Sequence, residues 1–273
     1  MKVFNLVGRL NKHERHRIDP VTILGIRYDN LSREEVLDCM ESFAQQGSTR
    51  MICTPNADHL LQARRDREFR DILERADLVV SDGMGVVYAA RLLGTPFKEN
   101  VGGRLLLPDF SSRAARFGYR LFLLGGNNEE MVQLAVTKLC RSYPGLVIAG
   151  SYTPPFMQEF DEAETGRMLD SIHRARPDVL FVCLGTPKQE KWIARNLDRL
   201  NVPVSIGIGA ALDMIAGCVN EPPRWVSRIG LEWLVKLLHE PKRLWRRYFW
   251  NGTVFVSLIL KQRFDLKRSQ DSL

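Results

Sequence analysis

A regular alternation of short apolar runs with amphipathic segments of helical periodicity begins at Val21 and constrains the fold more than any other feature. Strand candidates followed by helix candidates, repeated along one chain, are typical of βα units around a parallel sheet. The strand candidates are VTILGIRY, RMIC, ADLVV, YRLFLL, LVIAGSY, PDVLFVC and VPVSIG. The helix candidates include REEVLDCMESFAQQ, capped at Ser32, and LLQARRDREFRDILERA as one helix. The sequence therefore predicts an α/β protein with a mostly parallel sheet.

The alternation divides the 273-residue chain into three parts. Residues 1–19 lack periodicity and are expected to form a flexible leader. Residues 20–220 carry the βα units and form the predicted core. Residues 221–273 lack this rhythm and hold four of the five tryptophans, which are Trp225, Trp233, Trp245 and Trp250. We predict that this last part is a separate helical appendage.

The stretch ADLVVSDGMG places a carboxylate at the end of a predicted buried strand. Its apolar run stops at Ser81, Asp82 and Gly83, and a helical pattern resumes at Met84. Ligands of open parallel sheets bind at this carboxyl edge. Asp82 can act there as a general base, hold a sugar hydroxyl, or cap the helix that follows. Spacing leaves these interpretations open.

Polar residues also follow two other predicted strands. They are Thr54, Asn56, Asp58 and His59 after the first, and Thr186, Pro187, Lys188 and Gln189 after the second. The simpler interpretation of the first group is an Asx-type turn, and that of the second is a helix with Pro187 at its first position. His59 lacks spaced metal-binding partners and is expected to be structural. Several polar strand ends on one edge nevertheless favour a shared site.

Gly125, Gly126 and Asn127 follow a further strand, and Asp213 lies in the small-residue stretch GAALDMIAG. The two glycines fit close approach of the backbone to a phosphate or ribose before a helix N-terminus. Because the full GxGxxG fingerprint is absent, an NAD-type oxidoreductase is disfavoured. Asp213 either contacts a ligand or is an ordinary carboxylate at a helix start.

The formal net charge of +7 leaves nucleic acid, an anionic membrane or a phosphorylated substrate as partners. Basic residues concentrate in the appendage, at Arg224, Arg228, Lys236, Lys242, Arg243, Arg246 and Arg247. Interleaved tryptophans and the apolar FWNGTVFVSLIL favour a membrane interface, although arginine clusters also bind pyrophosphate and a basic face is often only solvated. No nucleic-acid partner is expected, because the core lacks a recognised helix-turn-helix, RRM or KH pattern.

The five cysteines are scattered without CxxC spacing, so neither a zinc site nor a disulfide framework is predicted. No cofactor is expected. The apolar piece near the N-terminus, VFNLV, is too short for a signal peptide. No apolar run approaches the about 20 residues that span a bilayer. These features predict a cytoplasmic protein.

Six motifs follow one another along the chain: TPNADHLLQA, ADLVVSDGMGVVYAARLLG, LFLLGG, LGTPKQEKW, GIGAALDMIAG and PPRWVSRIGLEWLVKLLHEPKRLWRRY. From about Val21 to about Tyr248, this series resembles the WecG/TagA/CpsF family, glycosyltransferase family 26. The resemblance implies a Rossmann-like α/β core with helices on both faces and a C-terminal helical, membrane-associating appendage. It also implies that activity does not depend on a bound metal.

Members of that family are inverting glycosyltransferases, so the resemblance implies transfer of a hexose or N-acetylhexosamine from a UDP-sugar donor. The implied acceptor is a polyprenyl-diphosphate-linked saccharide in bacterial cell-surface polysaccharide biosynthesis. The protein would attach peripherally to the inner face of the cytoplasmic membrane. A homo-oligomer and a monomer are both compatible with an apolar appendage.

The resemblance also implies site residues by position. The catalytic candidates are Asp82, the TPN residues Thr54 and Asn56, and the PKQE residue Gln189. The resemblance further implies that Arg243, Arg246 and Arg247 grip the diphosphate. The residues themselves, and not the resemblance, supply the other substrate-binding candidates, which are Gly125, Gly126, Asn127, Pro187, Lys188, Asp213 and Arg104. Asp82 is the implied base for the acceptor hydroxyl.

This chain departs from the family in one segment. The family usually reads E-R-V-x-G-x-D where this chain has ENVGGRL over residues 99–105, so Asn100 replaces the usual arginine and Leu105 the usual aspartate. One hypothesis is that Arg104 reaches the space of the missing arginine. The alternative function is a catalytically impaired family member that acts as a membrane-bound scaffold.

Overall fold

The structure, a computed structural model, describes residues 20–217 and 241–270, with the backbone alone for residues 241–250 and 270. The predicted leader over residues 1–19, the last three residues of the predicted core, 218–220, and the beginning of the predicted appendage, residues 221–240, lie outside the described residues. The strands are β1 Val21–Ile23, β2 Ile26–Tyr28, β3 Arg50–Cys53, β4 Leu78–Val79, β5 Arg120–Gly125, β6 Val147–Tyr152, β7 Val179–Cys183 and β8 Val204–Gly207.

The helices alternate with these strands. They are α1 Arg33–Gln46, α2 Ala57–Ala63, α3 Arg67–Arg75, α4 Met84–Leu92, α5 Gly103–Phe117, α6 Glu129–Ser142, α7 Glu162–Ala175, α8 Lys188–Arg195, α9 Leu197–Leu200, α10 Ala211–Ala216 and α11 Pro241–Gln270. The start of α1 is as predicted, because Ser32 and Glu35 form a reciprocal capping box.

Six strands form one parallel sheet in the order β4-β3-β8-β7-β5-β6. Strands such as β7 are buried along their whole length, as expected when helices cover both faces of a parallel sheet. One apolar layer packs α2, α3, α4, α7 and α8 against the sheet, and the other packs α1, α5, α6 and α10. The predicted α/β class with a parallel sheet is confirmed.

The prediction that VTILGIRY is the first strand of the parallel series is wrong. β1 and β2 form an antiparallel hairpin outside the six-stranded sheet, with Val21 opposite Tyr28. The two turn residues, Leu24 and Gly25, have φ values of 50° and 84°. A two-residue hairpin turn of type I′ has positive φ at both central positions, which glycine adopts without strain. The glycine inside the apolar run marked this turn.

The prediction of one helix over LLQARRDREFRDILERA is also wrong. The segment forms α2 and α3, and Asp66 separates them as the N-cap of α3, accepting a hydrogen bond from the Phe69 N–H at 3.0 Å. An aspartate that bonds the backbone three residues ahead favours a new helix start over continuation.

Helix α11 packs on the core beside the hairpin. Phe255 and Ile259 are buried in the apolar layer that also holds β1 and β2. The Gln262 amide accepts a hydrogen bond from the Leu24 N–H and donates one to the Thr22 carbonyl, both at 2.9 Å. Within the described ranges, none of the helices combines the length and apolar character needed to cross a bilayer.

Candidate active site

Asp82 lies three residues beyond β4, at the carboxyl edge of the sheet. The helix that follows, α4, has Gly83 as its N-cap, and this glycine makes no side-chain capping hydrogen bond. The interpretation of Asp82 as a helix cap is therefore wrong. Its role as a base stays a prediction, now without its main structural competitor.

Residues 99–103 lie directly against the Asp82 turn. The Ser81 hydroxyl donates to the Glu99 carbonyl at 3.0 Å, and the Gly102 N–H donates to the Ser81 carbonyl at 2.9 Å. Gly102 has φ of 48°, and a Cβ added there would lie only 2.7 Å from Asp82 Oδ1. The backbone therefore approaches the carboxylate at a position that suits only glycine.

Asn100, at the position where the family resemblance implies an arginine, forms a hydrogen bond beside Asp82. Its Oδ1 accepts a hydrogen bond from the Gly83 N–H at 2.9 Å, which satisfies an otherwise uncapped donor at the start of α4. Asn100 thus joins the ENVGGRL segment to the turn that carries Asp82.

If the chain transfers a sugar from a UDP-sugar, as the family resemblance implies, Asn100→Arg should lower that transfer by about tenfold, because arginine cannot accept the Gly83 hydrogen bond. Steady-state UDP release measures the effect. Asn100→Leu is the matched control, since it removes the acceptor without adding charge, and it should lose a similar amount. Unchanged rates in both variants would show that this position does not matter. A faster Asn100→Arg enzyme would show that charge outweighs the turn.

The TPN turn is held from two sides. Thr54 is buried, and its hydroxyl donates to the Gly207 carbonyl at 3.4 Å. The Tyr28 hydroxyl, at the end of the hairpin, donates to the Pro55 carbonyl at 3.1 Å. Burial raises the pKa of Tyr28 well above its usual value, and the Asp82 carboxylate raises this pKa further. The tyrosine therefore stays neutral and keeps donating to the turn.

Asn56 acts as the N-cap of α2, as the simpler interpretation of the turn anticipated. Its Oδ1 accepts from the His59 N–H at 3.2 Å, and His59 Nδ1 accepts from the Asn56 N–H at 3.3 Å. His59 therefore has the structural role predicted for it. A catalytic role for Asn56 remains a prediction, and its amide nitrogen is the atom that the cap does not use.

Gln189 bridges the turns that follow β7 and β8. Its Oε1 accepts from the Gly209 N–H at 3.2 Å, and its Nε2 donates to Glu190 Oε1 at 2.7 Å and to the Thr186 hydroxyl at 3.4 Å. A Cβ at Gly207 would lie 2.5 Å from this Nε2, so a glycine is needed beneath the amide. Both amide atoms are thus occupied within the protein.

Asp213 meets the glycine turn after β5. Its Oδ1 accepts from the Asn127 N–H at 3.4 Å. Burial raises the pKa of Asp213, partly opposed by that hydrogen bond. Contacts within the protein explain why glycine is needed at both positions. A Cβ at Gly125 would lie 2.4 Å from the Cys183 carbonyl oxygen, and one at Gly126 would lie 2.5 Å from Val132. Ligand approach is therefore not needed to explain them.

Three further candidates occupy different surroundings. Lys188 Nζ donates to the Met157 carbonyl at 2.8 Å and lies 4.7 Å from the Phe160 ring centroid, so it holds the loop after β6. Pro187 is the N-cap of α8, so the prediction that it is the first residue of the helix is wrong by one position. Arg104 is the second residue of α5, next to Gly103, where an added Cβ would lie 3.1 Å from Thr54 Oγ1.

Arg243, Arg246 and Arg247 belong to the part of α11 described by its backbone alone. Asn251, the next described side chain, donates to Asp58 Oδ1 at 3.1 Å, and Asp58 is in the first turn of α2. Because an α-helix rises 1.5 Å per residue, the backbones of the three arginines lie about 6 to 12 Å from Asn251 along the axis of α11. They therefore precede, in the chain, the point where α11 contacts α2, the helix that follows the TPN turn.

No three His, Cys, Asp or Glu side chains in the described ranges are grouped so as to hold a metal ion. Cys39, Cys53, Cys140 and Cys183 are free thiols, whereas Cys218 lies outside those ranges. Burial raises the pKa of Cys183 above its usual value, which keeps this thiol protonated and inert as a nucleophile.

Sequence reasoning missed three residues at this edge: Tyr28, Gly102 and Glu190. Tyr28 is the last residue of an apolar strand pattern, so the sequence suggests only that it is buried. Gly102 lies 20 residues from Asp82 in the chain, and only the tertiary fold brings the two together. Glu190 did carry a signal, because it occupies the buried face of α8 with Trp192 and Ile193. A carboxylate on the apolar stripe of a helix is a reason to ask what holds it there.

Comparison of the sequence with known proteins identifies a family and several relatives. A model of the glycosyl transferase WecG/TagA/CpsF family matches residues 21–269. An N-acetylglucosaminyldiphosphoundecaprenol N-acetyl-beta-D-mannosaminyltransferase of Bacillus subtilis is 31% identical over 227 residues, which cover 83% of this chain and 86% of that relative. A protein of the same name from Staphylococcus aureus strain MW2 is 27% identical over 259 residues, covering 94% and 98% of the two chains.

Proposed function

The chain belongs to the WecG/TagA/CpsF family and is a glycosyltransferase, and from this premise we propose that it transfers a sugar from a UDP-sugar to a polyprenyl-diphosphate-linked saccharide with inversion. The observation that carries the proposal is Asp82, which stands at the carboxyl edge, does not cap its helix and is covered by Gly102. The relatives' names make N-acetylmannosamine the first donor sugar to test and undecaprenyl-diphosphate-linked N-acetylglucosamine the first acceptor.

The proposed reaction needs one base. Asp82 takes the proton of the acceptor hydroxyl while that oxygen attacks the anomeric carbon on the face opposite UDP. The new glycosidic bond forms as the bond to the UDP oxygen breaks, so the configuration inverts. A second carboxylate is not required, because no covalent glycosyl-enzyme forms.

The departing UDP carries negative charge that the protein must stabilise. The N-terminus of α6, preceded by Gly125, Gly126 and Asn127, offers backbone N–H groups and a positive dipole end for this purpose. We propose that Arg243 and Arg246 add charge-assisted hydrogen bonds to the diphosphate, with Arg247 beside them. The contact of α11 with the TPN helix through Asn251 supports this assignment.

The test supplies candidate UDP-sugars, first UDP-N-acetylmannosamine, to the purified chain with undecaprenyl-diphosphate-linked N-acetylglucosamine. UDP formation and the mass of the lipid product report transfer, and the anomeric configuration of the product reports inversion. Formation of neither UDP nor product with any donor would overturn the proposal and favour the scaffold, which the replacements at Asn100 and Leu105 motivate. Retained configuration would overturn the single-base mechanism alone.

We also propose that the protein attaches peripherally to the inner face of the cytoplasmic membrane through α11. Val256, Leu260 and Phe264 are 54%, 41% and 70% exposed and recur every four residues, so they share one helix face. Lys261, Lys267 and Arg268 are exposed on the same helix. An apolar stripe beside basic residues is suited to an anionic interface.

We expect the double substitution Leu260→Gln and Phe264→Gln to lower binding to phosphatidylglycerol-containing vesicles by about tenfold or more, since two apolar side chains no longer enter the bilayer. Sedimentation with vesicles measures the bound fraction. Phe117→Gln is the matched control, because Phe117 is 58% exposed but lies at the end of α5, and it should bind as the unaltered chain does. Equal binding by all three proteins would contradict the assignment.

A further inference from the structure

Glu190 is a buried carboxyl for which the proposed mechanism has no role. It is the third residue of α8 and only 4% exposed. Its Oε1 accepts two hydrogen bonds, from Gln189 Nε2 at 2.7 Å and from the Thr186 hydroxyl at 3.2 Å. Its other oxygen, Oε2, is buried and has no hydrogen-bond partner among the described residues. The two oxygens are therefore used very differently.

The residues that Glu190 contacts connect two turns at the carboxyl edge. Thr186 lies in the turn after β7, and Gln189 accepts from the Gly209 N–H in the turn after β8. The Gln189 amide also occupies the space above Gly207, whose carbonyl accepts from Thr54. Two successive hydrogen bonds therefore connect Glu190 Oε1 to the turn after β8. The first joins Glu190 to Gln189, and the second joins Gln189 to Gly209.

The surroundings of Glu190 favour a neutral acid. Burial raises its pKa, and the groups that oppose this rise are hydrogen-bond donors and not cations. Two acidic side chains at the start of α3, which packs on α8, are paired with other residues of α8. Glu68 forms ion pairs with Lys191 and Arg195, and Asp66, the N-cap of α3, forms one with Lys191. β3 presents the Cys53 thiol and β8 the Ser205 hydroxyl, both uncharged.

An ionised carboxylate in this position would leave one charged oxygen buried without a donor, which costs far more than a buried neutral hydroxyl. Oε2 is the oxygen that can carry the proton, because Oε1 already accepts from two donors. A neutral acid also keeps Oε1 as a fixed acceptor, which is what Gln189 and Thr186 require.

We propose that Glu190 is a positioning residue that acts as a neutral carboxylic acid, holding the Gln189 amide and the Thr186 hydroxyl and thereby aligning the turns after β7 and β8. Its kinetic consequence rests on the proposed glycosyl transfer, whereas its protonation and its effect on the turns do not. The proposal also gives Gln189 a different task from direct contact with substrate, namely bridging the two turns.

The protonation state is tested by infrared difference spectroscopy at neutral pH on the full chain. We expect the carbonyl band of a protonated carboxylic acid to be present in the unaltered protein and absent in Glu190→Gln. Glu164→Gln is the matched control, because Glu164 is also buried but its carboxylate forms an ion pair with Arg167, and the band should persist in this variant. Persistence of the band in Glu190→Gln would overturn the neutral assignment.

The positioning role is tested by amide hydrogen exchange without substrate and by kinetics. Glu190→Leu should speed exchange over residues 185–190 and 207–211 and lower kcat by about 10- to 100-fold, with a smaller change in the donor KM. Glu190→Gln, which keeps a neutral acceptor, should stay within about threefold of the unaltered enzyme. The double variant Gln189→Met and Glu190→Leu should be no slower than the slower single variant, because the two residues act as one unit.

Three outcomes separate the ideas. Normal exchange and normal kcat in folded Glu190→Leu would overturn the positioning role. If Glu190→Leu does not fold, a Glu190→Gln enzyme slowed more than tenfold with an unchanged melting temperature would overturn it instead. If the unaltered chain transfers no sugar, the proposed function fails, and the infrared and exchange results still decide the role of Glu190.

Discussion

Asp82→Asn is expected to reduce glycosyl transfer by about 10²- to 10⁴-fold while leaving UDP affinity nearly unchanged. An amide has almost the shape of a carboxylate but cannot take a proton from the acceptor hydroxyl. The substitution should not destabilise α4, because the N-cap of that helix is Gly83 and the Asn100 side chain bonds its N–H. The predicted loss is therefore one of chemistry and not of folding.

UDP release under saturating donor and acceptor measures this loss, and calorimetric titration with UDP measures the affinity. The matched control is Asp170→Asn, since Asp170 is an exposed carboxylate on α7, away from the sheet edge, and its removal should leave both quantities unchanged. Full turnover by Asp82→Asn would contradict the base assignment. A joint loss of turnover and UDP affinity would instead make Asp82 a binding residue.

Local sequence pattern was sufficient to predict most of the core. A run such as VLFVC predicts a buried parallel strand because every residue is apolar and β-compatible, and Ser32 predicts a helix start because its partner Glu35 lies three residues ahead. The pattern failed at VTILGIRY, where an apolar run of strand length concealed a hairpin. Apolar periodicity reports burial, and it does not report which neighbouring strand a residue pairs with.

The candidate site was predictable only as far as strand ends are predictable. Asp82, Thr54 and Gln189 end on one edge because parallel strands bring their carboxyl ends together. Their individual contacts were not predictable, since Gln189 uses both amide atoms within the protein and Lys188 holds the loop after β6. Contacts between residues far apart in the chain depend on the packed fold and leave little trace in local spacing.

The contact between Gly102 and Asp82 leads to a second large expected effect. Gly102→Ala should lower kcat by about 10- to 100-fold, because a displacement of a catalytic group by about 1 Å can have such an effect. The new Cβ would lie 2.7 Å from Asp82 Oδ1 and 3.6 Å from its Cγ, so the carboxylate or the backbone has to move. The backbone of Gly102, with φ of 48° and ψ of 131°, lies outside the regions that L side chains commonly adopt, and the resulting strain is expected to cost about 1–3 kcal/mol of folding free energy.

Gly118→Ala is the control for replacing a positive-φ glycine at an end of α5 without a new side-chain contact. The two glycines flank the same helix, α5, as its N-cap and C-cap, and both have positive φ, but nothing lies within 4 Å of a Cβ at Gly118. Both variants should lose stability in thermal unfolding, and Gly102→Ala should lose more, because φ of 48° with ψ of 131° is less accessible to alanine than the left-handed helical φ of 78° with ψ of 18° at Gly118. Only Gly102→Ala should lose turnover in the UDP-release assay. Equal turnover in the two variants would mean that Asp82 tolerates displacement, which a base aligned with the acceptor hydroxyl cannot do. The pair therefore tests the position of the carboxylate, whereas Asp82→Asn tests its chemistry.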